Sequence, residues 1–362
     1  MLPSISVISY FLAAGASAPF GYPVTKSFQQ ILARELVRKF EVKPDSLISE
    51  ERILLTILKH KTYPDIEYIF EFQKELSRMI QYCPVLVDFL KSYALGGSIK
   101  GVPTTAYELG VEIKNYLEYN DTLSDFLTTK IYEYYSWREQ NIEKINKIYS
   151  KLLYLNNQEL TNIFTTNYDG IIESYCKESE RRYNLVDGFE YDSFSGLKKW
   201  NSSTFSQVND TTSLYLFKLH GSLNWKRHRK HGIVKLEDIE KPMKNDGQYL
   251  TDILIKPSRS PKEEERDEPF RTLISEFKER IEKSNICMVI GYSFRDEGIN
   301  EIFDGFMKRG GRLIIFSPDA TKEFTEYFIN RYHPDEQTYT LLNVKVTVEG
   351  IDDLIDKIKM HL

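Results

Sequence analysis

Short apolar segments alternate with helical segments through residues 161–362, and this alternation constrains the fold more than any other feature of the sequence. Strands that alternate with helices are typical of a parallel sheet, because each parallel pair needs a crossover connection. The predicted strands are Val7–Leu12, Asn162–Thr166, Leu214–Leu219, Ile253–Lys256, Ile286–Ile290, Arg312–Ser317 and Val344–Val348. The predicted helices include Phe270–Lys283, Asn300–Lys308, Lys322–Arg331 and Ile351–His361. The sequence therefore predicts an α/β fold with a doubly wound, Rossmann-like, mostly parallel sheet.

A long helical stretch separates the first predicted strand from the second. From Phe28 to Leu160 the apolar residues recur at helical spacing, and short breaks containing Gly or Pro interrupt them. Because a crossover helix is far shorter than this, the stretch is predicted to be an insertion. We therefore expect a core domain formed by residues 1–27 and 161–362, and a large helical insertion domain formed by residues 28–160.

Composition narrows the function classes. The 362 residues carry a net charge of −5, which argues against a dedicated nucleic-acid-binding surface. Cys83, Cys176 and Cys287 are far apart and form no CxxC pair, so a reducing compartment is expected and a zinc ribbon is not. No apolar run reaches the length of a transmembrane helix, and no signal peptide is evident. The sequence predicts a cytoplasmic protein with no membrane segment, no metal and no direct nucleic-acid contact.

The stretch Ile163–Gly170 is the strongest candidate for a functional site. It is a strand that ends in a polar turn and opens a helix, and ligands of open α/β sheets bind at the carboxyl ends of the strands. Taken alone, Asp169 is equally well explained as a helix cap and Asn167 as a turn residue. A site is favoured because similar strand ends occur at Ala13–Pro19, Lys218–Ser222 and Ile290–Phe294.

Two of these strand ends are rich in small residues. Gly15, Ala16 and Ser17 follow the first strand, and small residues at such a turn let the backbone approach a phosphate. Because there is no complete GxGxxG, a tight turn without a ligand stays open as an alternative. Gly291 and Ser293 follow another strand, where they suit contacts with a ribose or a phosphate; taken alone, an ordinary turn without a ligand stays open here as well.

Histidine supplies the candidate base. His220 follows a predicted strand at the same edge as Asn167, and imidazole titrates close enough to neutral pH to act as a general base. A packed structural histidine is the alternative reading. His228 and His231 lie in or beside a basic run with no cysteine nearby, so both are predicted to be surface residues.

In sequence order, these segments resemble the sirtuin-like superfamily. They are similar to its Gly-Ala-Gly-x-Ser, Thr-x-Asn-x-Asp, His-Gly and Gly-x-Ser motifs, and the resemblance covers residues 1–27 and 161–362. The most specific matches are Thr165–Asp169 and Lys218–Ser222. The family binds NAD and breaks its nicotinamide–ribose bond, so the resemblance implies an NAD-cleaving enzyme.

The resemblance also implies a role for each matching residue. Asn167 would hold the water or the ribose, Asp169 would order the site, and His220 would be the base. The implied NAD-binding residues are Gly15, Ala16, Ser17, Thr165, Thr166, Gly291 and Ser293.

The sequence departs from the deacylating sirtuins. Ala13 replaces the first glycine of the loop, the Asp-Phe-Arg that follows Gly-x-Pro in those enzymes is missing, and so are the four zinc cysteines. These departures disfavour protein deacylation. They do not affect the expectation that the chain hydrolyses NAD, with ADP-ribose and nicotinamide as products. A deacylase of the same fold, and a non-catalytic NAD-binding scaffold or sensor subunit, stay open as alternatives.

The helical insertion and the phrases His220–Trp225 and Ile255–Ser258 resemble the bacterial branch that hydrolyses NAD during phage infection. A chain of this kind without a fused sensor resembles the subunit paired with a HerA-type hexameric ATPase. The resemblance therefore implies anti-phage defence by NAD depletion, a homo-oligomer built through the aromatic-rich insertion, and a separate ATPase partner.

Overall fold

The computed structural model describes residues 7–42, 125–136, 141–156, 160–179, 183–206, 213–237, 249–255 and 267–362, together with Glu51, Lys74, Arg78 and Tyr82. The chain divides into two compact units. One is formed by residues 1–24, 135–256 and 260–362, and the other by residues 25–134 and 257–259. No helix of the described residues is long and apolar enough to cross a membrane.

The regular elements are as follows. The strands are β1 (Ile8–Leu12), β2 (Thr161–Thr165), β3 (Asn184–Val186), β4 (Phe189–Asp192), β5 (Leu197–Trp200), β6 (Ser213–Lys218), β7 (Gly221–His228), β8 (Gly232–Lys235), β9 (Tyr249–Leu254), β10 (Ile286–Ile290), β11 (Arg312–Ser317) and β12 (Tyr339–Asn343). The helices are α1 (Ala14–Ser17), α2 (Thr25–Val42), α3 (Ile142–Tyr154), α4 (Ile171–Glu178), α5 (Phe270–Glu282), α6 (Glu297–Lys308), α7 (Ala320–Phe324), α8 (Asn330–Tyr332) and α9 (Ile351–Lys359).

The first unit contains a seven-stranded sheet in the order β12-β11-β10-β1-β2-β6-β3, and every neighbouring pair in it is parallel. The predicted α/β fold class is therefore confirmed. The chain passes from β1 to β2 on one side of β1, and β10 later pairs with β1 on its other side. This reversal is the topological switch point of a doubly wound sheet, where ligands bind beyond the carboxyl ends of the strands.

Strand alternation divides the core between the two faces of this sheet. In β1, Ile8, Tyr10 and Leu12 belong to one buried cluster, together with residues of α3, α4 and α9. Phe11 belongs to the other cluster, together with residues of α5, α6 and α7. Because successive side chains of a strand point to opposite faces, a strand covered on both faces is expected to be mostly apolar, as in β10, where all five residues are apolar.

A second, antiparallel sheet was not predicted from the sequence. Its strands run in the order β4-β5-β8-β7-β9. The predicted strand Ile253–Lys256 overlaps the last two residues of β9, which pairs with β7 and not with the parallel sheet. An apolar run indicates a buried strand but not its partner or its direction, so these residues were assigned to the wrong sheet.

Two further sequence predictions are wrong. Val344–Val348 forms no strand; the edge strand is β12, whose residues are mostly half-buried and show a weak apolar pattern. His228 is buried rather than on the surface: its ring packs against Tyr249, and its Nδ1 accepts the backbone N–H groups of Lys230 and His231 at 3.1 and 3.2 Å.

The division into a core domain and a 28–160 insertion stays a prediction, because most of residues 43–124 lie outside the described part of the chain. Residues 142–154 of that range form α3 in the first unit. In the second unit, the buried amine of Lys130 lies 2.8 Å from carboxylate oxygens of both Glu35 and Glu133.

Candidate active site

The sheet register brings Asn167 and His220 to equivalent positions on neighbouring strands. Thr165, the last residue of β2, is paired with Lys218, the last residue of β6. Asn167 and His220 each follow two residues later. The Leu219 N–H donates to the Thr165 carbonyl at 2.8 Å, which continues the ladder one step beyond the strands. Since neighbouring strands lie about 4.8 Å apart, both residues belong to one edge of the sheet.

The side-chain amide of Asn167 is held in one orientation. Its Nδ2 donates to the Ala13 carbonyl at 3.0 Å and to Ser17 Oγ at 2.9 Å. Because a backbone carbonyl can only accept, the atom that faces Ala13 must be the nitrogen. Among the described residues, none donates a hydrogen bond to Oδ1 of this half-buried side chain. The amide oxygen is therefore the atom left for a ligand or a water molecule.

Ser17 connects this amide to Asp169. The Ser17 hydroxyl accepts from Asn167 and donates to Asp169 Oδ2 at 2.6 Å, while Oδ1 of Asp169 accepts the Ile171 N–H at 3.1 Å. Burial raises the pKa of Asp169, against the opposing effects of nearby Lys218 and of the hydrogen bonds from Ser17 and Ile171. The two hydrogen bonds of the Ser17 hydroxyl link Asp169 to Asn167. The Ser17 side chain therefore helps to orient the Asn167 amide.

The two threonines of the motif differ in exposure. Thr165 is buried; its hydroxyl donates to the Leu12 carbonyl at 2.8 Å and accepts the Asn167 N–H at 3.0 Å. Thr166 is half-buried, and its N–H donates to the same Leu12 carbonyl at 3.3 Å. The Thr165 hydroxyl is thus used to shape the turn that carries Asn167.

A buried lysine, which sequence reasoning did not assign to the site, donates hydrogen bonds to the turn that follows β2 and carries Asn167. Lys218 is 1% exposed, and its Nζ donates to the carbonyl of Asp169, to that of Tyr168 at 3.3 Å and to Glu173 at 3.2 Å. The hydroxyl of Ser222 adds a hydrogen bond to the Tyr168 carbonyl at 3.2 Å. The sequence placed Lys218 in the motif Lys218–Ser222 but gave no indication of the contacts that its amine makes.

Lys218 belongs to a buried ion cluster of two cations and two anions. Lys235 lies 3.5 Å from Glu173 and 2.5 Å from Asp187, so the cluster joins α4 and β6 to β8 of the antiparallel sheet. Burial acts to raise the pKa of Glu173, but the two lysines outweigh it and hold that pKa below its ordinary value. Burial likewise acts to lower the pKa of Lys235, and Asp187 and Glu173 outweigh it and keep that pKa raised. Glu173 and Lys235 are therefore both held in their charged forms.

Gly15 and Gly291 meet at the switch point between β1 and β10. The Gly15 N–H donates to the Gly291 carbonyl at 3.1 Å. A Cβ on Gly291 would lie 2.3 Å from the Gly15 Cα, and a Cβ on Gly15 would lie 2.6 Å from the Gly291 Cα. Glycine is therefore required at both positions by close backbone approach. Ala16 is buried behind this contact, and Ser293 is half-buried two residues beyond it.

We expect Gly291→Ala to destabilise the protein clearly more than Gly310→Ala. Both glycines have positive φ, 67° and 88°, which costs an L-residue about 1–2 kcal/mol. Only Gly291 adds a backbone collision, since nothing lies within 4 Å of a Cβ on Gly310, and overpacking costs a further ~1–3 kcal/mol. Urea unfolding of the two variants measures the difference. Equal losses of stability would contradict this expectation, because they would show that the β1 and β10 loops can move apart to fit the Cβ without a loss of folding free energy.

The backbone of His220 is fixed by a hydrogen bond to its carbonyl and by the tight turn at the next residue, Gly221. The Ile255 N–H donates to its carbonyl at 2.9 Å, and the following Gly221 has φ 80° with the Ile253 carbonyl 2.1 Å from the position of a Cβ, so only glycine fits the turn. The imidazole Nε2 lies 3.2 Å from Asp296 Oδ2, and both side chains are largely buried. Sequence reasoning did not identify Asp296, which belongs to the loop after β10.

No group of three or more His, Cys, Asp or Glu side chains in the described residues is arranged to hold a metal ion. Cys176 and Cys287 are free and buried, and burial raises the pKa of both thiols. Cys83 lies outside the described residues.

Residues 161–335 match the family model described as SIR2-like domain, a region that contains Asn167, Asp169, His220, Gly291 and Ser293. Among solved structures, a Sir2 homologue–NAD complex matches at 14% identity, covering 98% of this chain and 90% of the other, with a TM-score of 0.44. Sir2Tm bound to a propionylated peptide matches at 12% identity, covering 98% and 94%, with a TM-score of 0.40. No curated protein matches the chain in sequence.

Proposed function

We propose that this chain, with its SIR2-like region, is an NAD⁺ hydrolase that cleaves the nicotinamide–ribose bond to give ADP-ribose and nicotinamide. The observation that carries the proposal is the pair Asn167 and His220. An amide held in one orientation and an imidazole stand at equivalent positions beyond β2 and β6, at the edge of the sheet where ligands bind. A binding module has no need of this pair, whereas water activation needs both groups.

The proposed chemistry uses the side chains already in place. Breaking the bond between C1′ and the nicotinamide nitrogen passes through an oxocarbenium-like sugar, as in glycoside hydrolysis. The electron pair of the broken bond stays with nicotinamide, which leaves as a neutral molecule, so no strong general acid is required. Water then forms the new bond to C1′ and loses a proton. Asn167 Oδ1 accepts a hydrogen bond from this water, and His220 takes its proton, directly or through a ribose hydroxyl.

We place the rest of the substrate along the glycine contact between the β1 and β10 loops. We assign the loop of Gly15, Ala16 and Ser17, with Thr165 and Thr166 beside it, to the NAD-binding surface near the reacting bond. Gly291 and Ser293 are assigned to the adenosine side. Because the hydroxyls of Ser17 and Thr165 are engaged in internal hydrogen bonds, both side chains support the surface rather than supply free donors to it.

Product analysis tests the proposed reaction. We expect the purified protein, incubated with NAD⁺ alone, to release ADP-ribose and nicotinamide in equal amounts by liquid chromatography and mass spectrometry. Nicotinamide release that requires an acyl-lysine peptide, with the acyl group transferred to ADP-ribose, would identify the deacylase instead. NAD binding without turnover by the folded protein would identify the scaffold or sensor. Parallel incubation with NADP⁺ measures the selectivity of the same site.

The biological setting is proposed on the resemblance of the sequence to the bacterial defence branch. In that setting the cytoplasmic enzyme depletes NAD during phage infection, forms a homo-oligomer and works with a separate HerA-type ATPase. The NAD hydrolysis proposed above is the part of this scheme that the site geometry supports.

A further inference from the structure

Buried hydrogen bonds hold the loop between β10 and α6. The buried Tyr292 hydroxyl lies 3.1 Å from both the Asp296 carbonyl and Asn300 Oδ1, and the buried Asn300 Nδ2 donates to the Phe294 carbonyl at 2.7 Å. Two polar side chains inside the core thus hold each other and the backbone carbonyls of Phe294 and Asp296, two points of a six-residue turn. Buried hydrogen bonds of this kind tolerate little displacement, because each lost partner leaves an unpaired polar group in the interior.

The same loop contains backbone strain. Phe294 has φ 57°, a left-handed conformation that is unfavourable for a residue with a Cβ. Its ring is buried and packs against Tyr292, Phe324 and Phe328, with ring centroids 4.7, 4.8 and 5.7 Å away, which keeps the conformation in place. Such strain persists only where the surrounding structure imposes it, and it clusters at functional sites. Two residues later the loop reaches Asp296.

Each carboxylate oxygen of Asp296 has its own partner. Oδ1 accepts the Ile299 N–H at 3.3 Å, which caps the N-terminus of α6, and Oδ2 lies 3.2 Å from His220 Nε2. The side chains of His220 and Asp296 are only 11% and 13% exposed. The cap alone explains one oxygen; the contact with the imidazole is an additional task that a helix cap does not need.

We propose that Asp296 is a positioning residue that holds His220 in the tautomer protonated on Nε2. A carboxylate can only accept, so the imidazole nitrogen facing it must carry the hydrogen, and in neutral imidazole the other nitrogen, Nδ1, is then the acceptor. Nδ1 is the atom that removes the proton during NAD hydrolysis. This assignment rests on the proposed function for the identity of the reaction, but the tautomer itself is a property of the protein alone.

The variant Asp296→Asn separates the two tasks of the side chain. Asparagine is as good a helix cap as aspartate, so its one oxygen can keep the Ile299 N–H. Its NH₂ group then faces His220 Nε2, which must become an acceptor, and the proton moves to Nδ1. We expect kcat to fall by about a hundredfold to ten-thousandfold, as expected when a base is held in the wrong tautomer, while KM and the melting temperature change little. Asp335→Asn, which alters an exposed cap of a 3₁₀ turn far from His220 in the sequence, is the matched control and should keep full activity.

Nitrogen-15 NMR of histidine-labelled protein reads the tautomer without any substrate. The signals of His220 are assigned by their loss in His220→Gln. The spectra are recorded at a pH where the imidazole is neutral. In the wild-type protein we expect protonated Nε2 and unprotonated Nδ1, and in Asp296→Asn we expect the reverse. Protonated Nδ1 in the wild type, or an unchanged tautomer with full kcat in Asp296→Asn, would overturn the proposal while NAD hydrolysis stood. The expected tautomers in a protein that does not hydrolyse NAD would support the positioning role and overturn the proposed function.

Discussion

Replacing Lys218 with methionine is expected to destabilise the protein by about 3–5 kcal/mol and to abolish NAD turnover. Methionine fills much of the space of the lysine stem but removes the charge. Glu173 then keeps only Lys235, at 3.5 Å, as a cation among the described residues, and the buried carbonyls of Tyr168 and Asp169 lose a donor. Breaking a buried ion cluster on one side is costly because the remaining charge stays out of water. The turn that carries Asn167 is anchored by the same amine, so activity falls with stability.

The measurement is urea unfolding of Lys218→Met beside a matched control, Lys198→Met. Lys198 is exposed and lies 3.7 Å from an exposed Glu237, so its removal should cost less than about 1 kcal/mol. A Lys218→Met protein as stable as the wild type would show that the cluster contributes nothing to the fold. Wild-type turnover in a destabilised Lys218→Met protein would instead separate the buried cluster from the site.

The second large effect is expected for Asn167→Ala and His220→Ala, each of which should lower kcat by about a hundredfold to ten-thousandfold. In the proposed reaction, loss of the Asn167 oxygen removes the acceptor that orients the water, and loss of His220 removes the base. The two variants differ in stability. Asn167→Ala also deletes the hydrogen bonds to Ala13 and Ser17, which should cost about 1–2 kcal/mol, whereas His220→Ala removes the contact of the imidazole with Asp296.

Turnover and unfolding free energy are measured on the same preparations. Asn141→Ala is the control for Asn167, because it removes the exposed cap of α3 and should lose about 1 kcal/mol while kcat is retained. His231→Ala, a half-buried histidine on the β7–β8 turn, is the control for His220. Asn167→Ala or His220→Ala proteins that keep wild-type kcat per folded molecule would show that the residue is structural and would contradict its assigned role.

The sequence by itself determined the fold class and the main strands that build the candidate site. β1, β2, β6, β10 and β11 were all predicted within one or two residues, as were α5 and α9 near the end of the chain. These elements are specified locally: a strand covered on both faces is mostly apolar, and glycine, serine and asparagine mark the turns that follow. Asn167 and His220 were predicted at one edge because parallel strands bring their carboxyl ends together whatever the exact register.

Only the tertiary structure decided which strands pair outside the parallel sheet and which side chains support the site. The antiparallel sheet of β4, β5, β7, β8 and β9 was missed because strand partners and directions are not encoded in an apolar run. The supporting contacts of Lys218 and Asp296 were not predicted for a related reason: their partners Glu173 and His220 lie far away along the chain, on other elements. A buried charge or a carboxylate after a strand has no local signature of its task. Its role is set by the partner that folding places beside it, because in a low-dielectric interior the energy of a charged group depends on that partner.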